Sequence, residues 1–260
     1  PVQAARWQAI RRGCAAQIDS VIVAFQTDDR ITDLFEREVN DRPLFHVVAD
    51  DGATHTLWSG RRSQDMREAF AAVTHAYVLE GHHRALAAAP GQPVLCMLLP
   101  LHEVVGRWSA RMVLAAAAEP WSAWLKANAH RVPEGGMPAA GFADACVMVD
   151  GQPAWMRLRL PPPAPGTTRA QATEWGRLDA LLRRVLGRDP SACTACQPGE
   201  DRATHLQAMV VEGACASAIV LAPRSTREFT LLADAGECLP AGSTWFEPRV
   251  RSGLWMHQPD

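Results

Sequence analysis

The sequence predicts a mixed α/β protein of the α+β class, organised as two subdomains. Short apolar runs of strand length alternate with segments whose apolar residues recur at helical spacing. Two Asp-Gly pairs, at 51–52 and 150–151, lie between apolar runs and are typical of β-hairpin turns. Glycine and proline are concentrated in residues 130–140. We therefore expect a boundary there, between subdomains over residues 1–130 and 141–260.

Composition places the chain among ordinary globular proteins. Of its 260 residues, 48% are hydrophobic and 21% are charged, which does not match the polar composition of disordered chains. The net charge of −2 creates no field that would attract nucleic acid or an anionic membrane, so we expect neither partner. The longest apolar runs, such as residues 94–99, are too short to span a bilayer, and no signal peptide is visible. A cytoplasmic location is therefore predicted.

The N-terminal part is predicted to alternate strands with short helices. Thr27 or Asp28 can cap a helix whose apolar residues Ile31, Leu34 and Phe35 share one face. The predicted helices cover residues 6–16, 27–39, 63–73 and 85–89, and the predicted strands cover residues 20–25, 43–49, 54–59, 75–79 and 93–99.

The C-terminal part continues this mixture. Residues 109–129 are rich in alanine and predict a helix that is interrupted at Pro120. Thr168 is placed to cap a long helix that reaches residue 186, with Gly187 at its end. Further helices are predicted over residues 206–213 and 225–235, strands over 141–150, 153–160 and 216–221, a polar loop over 189–202, and an irregular segment after residue 235.

Residues 80–84, Glu-Gly-His-His-Arg, join a predicted strand to the alanine-rich helix that follows it. A strand–glycine–helix turn leaves backbone N–H groups at the helix start available to an anion. Gly81 permits a positive φ and a close ligand approach, and Arg84 offers a planar fork of donors suited to phosphate. His82 and His83 can exchange protons near neutral pH. The same residues also fit a polar surface turn that binds nothing, and spacing alone leaves both interpretations open.

Three blocks of the sequence resemble motifs of the domain of unknown function 1015 family. Residues 80–84 resemble the family's Asp-Gly-His-His-Arg. Residues 239–249, Leu-Pro-Ala-Gly-Ser-Thr-Trp-Phe-Glu-Pro-Arg, resemble its closing Met-Pro-x-Lys-Ser-Thr-x-Phe-x-Pro-Lys and are followed by Ser-Gly-Leu at 252–254. Residues 100–105, Pro-Leu-His-Glu-Val-Val, are similar to its Pro-x-His-Arg-Val-Val. The blocks keep the family's order, so the resemblance spans the chain.

The resemblance implies a ParB/sulfiredoxin-like N-terminal part, because the family is related to that fold. Characterised relatives are free-serine kinases. The implied reaction is phosphoryl transfer from ATP, ADP or pyrophosphate to the hydroxyl of free serine, which gives O-phosphoserine and usually uses Mg²⁺.

The resemblance also implies roles for individual residues. Phosphate would be held by Gly81, His82, His83, Arg84, Ser243, Thr244 and Arg249. Catalytic groups would come from Glu80, His82, His83, His102 and Glu103. His102 and Glu103 follow a predicted strand, where open sheets tend to place ligands, although a solvated loop is the other interpretation of Glu103.

Several positions depart from the family pattern. Glu80 replaces Asp, Glu103 replaces Arg and Gly242 replaces Lys, so two cations are lost. The family's longer N-terminal part, with a His-Glu-x-Thr segment, is missing here. We therefore expect this chain to bind phosphate and to turn over poorly or not at all. A non-catalytic phosphate- or nucleotide-binding module is the alternative, and a ParB-like nucleic-acid partner is disfavoured by the net charge.

The seven cysteines include a Cys193–Cys196 pair with the spacing of metal ligands. A structural zinc site needs four ligands, usually two such pairs, and no second pair follows. We predict that this pair binds no structural metal and that the cysteines are reduced thiols.

Overall fold

The structure of the chain is a computed structural model that describes all residues except 1, 51, 90, 108, 134–137, 193, 199–202, 241, 249–253, 255 and 259–260. The chain divides into two compact units. Unit 1 comprises Pro1–Val104 and Pro248–Asp260, and unit 2 comprises Val105–Glu247. The boundary predicted at 130–140 lies inside unit 2, because the strand Ala129–Val132 pairs with the strand Gln152–Arg159. Unit 2 is thus inserted, in sequence, between two segments of unit 1.

Unit 1 alternates helices with strands, as the sequence predicts. Its helices are α1 (Val2–Cys14), α2 (Asp29–Val39), α3 (Ser63–Phe70) and α4 (His82–Leu86), and its strands are β1 (Val21–Phe25), β2 (Phe45–Val48), β3 (Thr54–Leu57), β4 (Ala76–Glu80) and β5 (Cys96–Pro100). These bounds confirm the elements predicted here to within a few residues. The hairpin predicted around Gly52 is the antiparallel pair β2–β3.

The central sheet of unit 1 has the strand order β4–β1–β5. β1 runs antiparallel to β4, where Ile22 is opposite Glu80, and parallel to β5, where Phe25 is opposite Pro100. All of β1 is buried, as expected for a strand between two others. The Glu80 end of β4 therefore lies beside the start of β1, whereas β5 ends beside the end of β1.

The core of unit 1 forms where α2 and α3 pack on this sheet. Phe25, Ile31, Leu34 and Ala69 form a buried cluster. Asp28 caps α2 by accepting a hydrogen bond from the N–H of Ile31 at 2.9 Å, which confirms one of the two predicted caps.

Unit 2 is built on a larger sheet. Its strands are β6 (Val105–Arg107), β7 (Ser109–Val113), β8 (Ala129–Val132), β9 (Phe142–Val149), β10 (Gln152–Arg159), β11 (Thr194–Pro198), β12 (Ser217–Val220) and β13 (Trp245–Glu247), and its helices are α5 (Ala118–Asn128), α6 (Arg169–Ala172), α7 (Glu174–Leu186), α8 (Ala203–Val211) and α9 (Thr226–Asp234). The large sheet has the strand order β11–β7–β12–β9–β10–β8. The mixture of helices and sheets in both units confirms the α+β class.

Helices cover both faces of the large sheet. One core contains residues of α5 and α7, namely Trp121, Leu125, Leu178, Leu181 and Leu182, which pack on the strands. The other core contains Leu206 and Val210 of α8. The predicted hairpin is confirmed as β9–β10, with Asp150 and Gly151 both at positive φ in its turn.

Part of the alanine-rich stretch of unit 2 was wrongly predicted. Residues 109–113 form strand β7, and only Ala118–Asn128 forms the helix α5. The strand forms because it pairs on both sides, with β11 and β12, and this pairing overrides the local helix propensity. Pro120 does not interrupt α5, because it lies in the first turn, where its missing N–H would have no intrahelical partner.

Three further predictions for unit 2 were wrong. The segment after residue 235, predicted as irregular, contains β13. The segment 189–202, predicted as a loop, contains β11. The long helix expected after Thr168 is two helices, α6 and α7. They divide at Thr173, which has extended backbone angles and whose hydroxyl accepts a hydrogen bond from the N–H of Gly176 at 3.1 Å, so that it caps α7.

A short ribbon closes unit 2 at the point where the chain enters and leaves it. β6 and β13 pair antiparallel, with Val105 opposite Glu247 and Arg107 opposite Trp245. The Nε of Arg107 donates to the carboxylate of Glu247 at 2.6 Å across the ribbon. Within the described part of the chain, no helix has the length and apolar character needed to cross a membrane.

Candidate functional site

The turn between β4 and α4 has the backbone conformation that the sequence predicts. Gly81 lies in the left-handed region, with φ 88° and ψ 20°, immediately before the helix. A Cβ on this residue would lie 3.0 Å from the Nε of Arg84 and 3.1 Å from the Cα of Val21. The position therefore requires glycine for two reasons, the backbone angle and the close packing around it.

The start of α4 presents a set of backbone donors. The first helical hydrogen bond at this turn runs from the N–H of Ala85 to the carbonyl of Gly81 at 2.9 Å. The N–H groups of His82, His83 and Arg84 precede it and have no acceptor within the helix. An anion placed against these donors would receive hydrogen bonds from the backbone.

Arg84 is held by groups of unit 1 itself. Its guanidinium donates to the carbonyl of Ser20 at 2.8 Å and lies 3.5 Å from Glu80 and 4.0 Å from Asp19. It also lies 5.4 Å from the ring centre of Trp7 in α1, within cation–π distance. Burial lowers the pKa of Arg84, and the charge of Asp19 opposes that shift. Arg84 therefore ties the turn to α1 and to the start of β1.

The space beside Arg84 is small. A cavity of about 20 Å³ lies between α1, residues 16–19 and Arg84. That volume suits about one water molecule and is too small for a phosphate. An anion at this turn would sit over the backbone N–H groups, and direct contact with Arg84 stays a prediction.

The two histidines of the turn face outward. Both His82 and His83 are exposed. Loss of hydration within the turn and the charge of His83 lower the pKa of His82, while a hydrogen bond with the backbone of Val78 acts in the opposite direction. His82 is therefore neutral at pH 7, and it can gain charge next to an anion when the pH falls.

The structure does not bring His102 and Glu103 to this turn. They form a 3₁₀ turn directly after β5, whereas Glu80 ends the antiparallel strand β4. Because β5 ends beside Phe25 and β4 ends beside Ile22, the two pairs of candidate groups lie at opposite ends of β1. The Nε2 of His102 lies 3.5 Å from the carboxylate of Glu103, and both side chains are exposed.

The role of the closing signature in binding phosphate stays a prediction. Ser243 is buried in unit 2, and its hydroxyl donates to the carbonyl of Pro240. Thr244 is half-buried. Arg249, Cys193 and the side chain of Cys196 lie outside the described residues. Among the residues that the structure describes, no group of three or more His, Cys, Asp or Glu side chains could hold a metal ion.

Sequence reasoning missed the residues just before β1 that support the turn. Asp19 and Ser20 contact Arg84, and the side-chain amide of Gln17 donates to the carbonyls of Asp19 and Leu95. They are far from the turn in sequence, and only the antiparallel pairing of β4 with β1 makes them neighbours. The one usable signal was the polar stretch just before the buried strand.

Comparison with known proteins supports the family resemblance. A family model described as "Protein of unknown function (DUF1015)" matches residues 3–92, which lie within unit 1 and include the turn. The matched residues cover about a third of the chain and include the Glu-Gly-His-His-Arg motif that resembles this family. No curated protein matches the chain.

Two solved structures resemble the chain at low sequence identity. SbnI with a C-terminal truncation from Staphylococcus aureus is 15% identical, with a TM-score of 0.47 over 99% of this chain and 80% of that chain. A conserved hypothetical protein from Pyrococcus furiosus is 12% identical, with a TM-score of 0.46 over 96% of this chain and 85% of that chain.

Proposed function

We propose that this protein is a small-molecule kinase similar to free-serine kinases, with the phosphoryl group bound at the turn of residues 80–84. The observation that carries the proposal is the backbone of this turn: Gly81 at positive φ opens α4, whose first N–H groups lack helical acceptors. Phosphoryl transfer depends chiefly on positioning and on preorganised donors around the phosphate. The match of residues 3–92 to the family model agrees with the resemblance from which this chemistry is taken.

Each group of the turn has a role in the proposed reaction. The N–H groups of His82 and His83 hold the phosphoryl oxygens, and Arg84 fixes α4 against β1, so that the donors are oriented before the ligand binds. Glu80 accepts the proton from the serine hydroxyl as the new O–P bond forms and the bond to the donor's leaving oxygen breaks. Mg²⁺ would be carried mainly by the phosphates of the donor.

A phosphate-binding module without transfer is the second candidate, and one observation favours it. The carboxylate of Glu80 lies 3.5 Å from the guanidinium of Arg84, and an ion pair makes a carboxylate a weaker base. Asp19 adds a second negative charge near the same guanidinium, so the side chains around Arg84 carry a net negative charge. Such a turn can bind phosphate through its backbone and still lack a competent base.

Glu80→Gln separates the two candidates. The protein is incubated with Mg²⁺, one of ATP, ADP or pyrophosphate, and a panel of hydroxy amino acids, and phosphoserine is measured by mass spectrometry. Phosphate binding is measured in parallel by calorimetry. For the kinase, we expect the wild type to form phosphoserine and Glu80→Gln to lose about a hundredfold or more in rate. Phosphate affinity should rise modestly in the same variant, because a like charge is removed.

Glu36→Gln is the matched control, because Glu36 is an exposed glutamate of α2 in the same unit. It should change neither rate nor affinity. If phosphate binds but no phosphoserine forms with any of the three donors, the binding module is the correct candidate. If phosphate does not bind, or if Glu80→Gln and Glu36→Gln behave alike, both candidates are wrong about this turn.

A further inference from the structure

Unit 2 contains a cavity of about 980 Å³, and the residues that line it all belong to this unit. One wall is the outer face of α7, from Gly176 to Arg184. The opposite walls are the proline-rich connector at 161–164, the start of α6 and residues 238–240. The volume is in the range of pockets that bind small molecules.

The lining of this cavity is positively charged. It includes four arginines and two aspartates, namely Arg111, Arg177, Arg183, Arg184, Asp179 and Asp189. Both aspartates face Arg183, at 3.5 Å and 3.0 Å. Hydrogen bonds with Ser191 and Arg183 lower the pKa of Asp189 to about 2, so this pairing persists through neutral pH. Arg177 and Arg184 give the cavity its net positive charge.

Arg177 and Arg184 lie on α7 without a carboxylate at ion-pair distance among the described residues. Arg177 instead donates to the carbonyls of Leu160 and Pro161 at 2.8 Å and 2.6 Å. These bonds fix the connector to α7, but neutral carbonyls do not cancel the charge. The cavity wall therefore carries positive charge that a bound anion would neutralise.

Arg111 places a further cation deep in the wall. It is only 5% exposed, on strand β7, and its guanidinium lies 5.5 Å from the ring centre of Trp175. A charge with little water around it interacts more strongly with an anion than a charge on the open surface does. Arg111 is thus a buried cation of the wall, whereas Arg177 and Arg184 are more exposed.

The connector and residues 239–240 contribute an apolar part of the lining. It is formed by Pro161, Pro162, Pro163, Ala164, Leu239 and Pro240. Proline side chains are rigid, so little conformational entropy would be lost when they contact a ligand. A purely inorganic anion would leave this surface exposed, whereas an anion with an apolar body would cover it.

We propose that this cavity binds a small amphipathic anion, an organic acid whose carboxylate or phosphate faces the arginines and whose apolar body contacts the prolines. This site does not depend on the turn of unit 1 or on the function proposed for it. It belongs to a different unit and uses different residues.

Binding is tested on the full chain with the fluorescent sulfonate 8-anilinonaphthalene-1-sulfonate as the probe. We expect saturable binding of one probe per chain, displaced by octanoate or octyl phosphate and not by octanol. The stronger of the two anions shows whether the site prefers a carboxylate or a phosphate. Equal displacement by octanol would overturn the proposal, because it would show an apolar site without charge recognition.

Two variants localise the site. Ala180 is an exposed residue of α7 that lines the cavity, so Ala180→Trp should occupy part of the space without unfolding the protein and should weaken probe binding. Arg184→Gln should weaken binding on the order of tenfold, as expected for a lost charged contact. Arg227→Gln, at an exposed position of α9 outside the lining, should leave binding unchanged. Unaltered binding by folded Ala180→Trp would refute the site.

Cys238 supplies a readout that does not depend on fluorescence. It is an exposed thiol in the cavity lining, whereas Cys14 is an exposed thiol in unit 1. Octanoate or octyl phosphate should slow the alkylation of Cys238 by iodoacetamide, measured by peptide mass spectrometry, and should not slow that of Cys14. Equal rates with and without ligand at Cys238 would contradict the proposal.

Discussion

His82 can couple anion binding to pH, because its environment lowers its pKa below the ordinary value of 6.5. As the pH falls through that value, the unfolded chain takes up a proton at this residue before the folded protein does. The contribution of His82 to stability is therefore present above the ordinary pKa and is lost as the pH falls below it. A bound anion reverses this effect, because it favours the protonated form.

We predict that sulfate binds more tightly as the pH falls from about 8 to about 5.5, a range in which sulfate keeps its charge while a histidine becomes protonated. The midpoint of thermal unfolding, measured with and without sulfate at each pH, gives the coupling. His82→Gln should reduce the pH dependence, and His130→Gln, at an exposed histidine of unit 2, should not. A pH dependence that is the same in wild type and His82→Gln would contradict the assignment.

At the level of elements, the connection between β4 and α4 depends on the packing around its glycine. Gly81 and Gly91 both have positive φ, at 88° and 82°. A Cβ would meet Arg84 and Val21 at Gly81, whereas it would meet nothing within 4 Å at Gly91. A substitution at either position therefore causes the same kind of backbone strain. Only at Gly81 does the added side chain also contact neighbouring atoms.

Gly81→Ala should destabilise unit 1 more than Gly91→Ala does. Each substitution places a side chain in the left-handed region, at a cost of roughly 1–2 kcal/mol. Gly81→Ala adds overpacking against Arg84 and β1, expected to cost about 1 kcal/mol or more. Urea unfolding measures the loss of stability in each variant. Hydrogen exchange of residues 76–86 then measures the stability around the turn itself. If the two variants lose the same stability, the packing at Gly81 is not a constraint.

The elements of unit 1 could be predicted because their signals are local. Asp28 follows the apolar strand and caps α2, and an Asp-Gly pair sets the β2–β3 turn. β7 could not be predicted in this way, because its alanine-rich sequence favours a helix and only its two neighbouring strands make it extended. Tertiary pairing is absent from the local pattern.

The candidate site was predictable only in part, for the same reason. The glycine turn was evident, since a glycine between a strand and a helix start has a local meaning. The partners of Arg84 were not, because Asp19 and Trp7 reach it through the pairing of β1 with β4 and the packing of α1. His102 and Glu103 were grouped with the turn by resemblance, and the direction of β4 separates them from it.

At the scale of the whole molecule, the ribbon β6–β13 brings the two ends of unit 2 together. Val105 and Glu247 are directly opposite each other, so their Cα atoms are about 5 Å apart. Unit 1 has its own core around Phe25 and Ile31. The segment between residues 104 and 248 can thus be replaced by a short loop without stretching the chain.

We predict that residues 1–104 joined to residues 248–260 by two glycines fold into a stable protein. The expected result is a cooperative thermal transition with the circular dichroism of an α/β protein. The control is the same joined protein with the order of residues 248–260 shuffled. This change removes His257, which pairs with Gln17 through two backbone hydrogen bonds. A non-cooperative transition of the joined protein would show that unit 1 is not independent.

The direction of β4 also changes how the sequence departures affect the turn. Glu80 lies opposite Ile22 and Pro100 lies opposite Phe25, three positions further along β1, which corresponds to about 10 Å. Glu103 follows Pro100 in the chain, past the end of β5. At physiological ionic strength, mobile ions screen exposed charges over about 8 Å. The interaction of the exposed carboxylate of Glu103 with the His82 amide is thus largely screened. A change in the sign of the charge at residue 103 therefore leaves the electrostatic potential at the turn nearly unchanged.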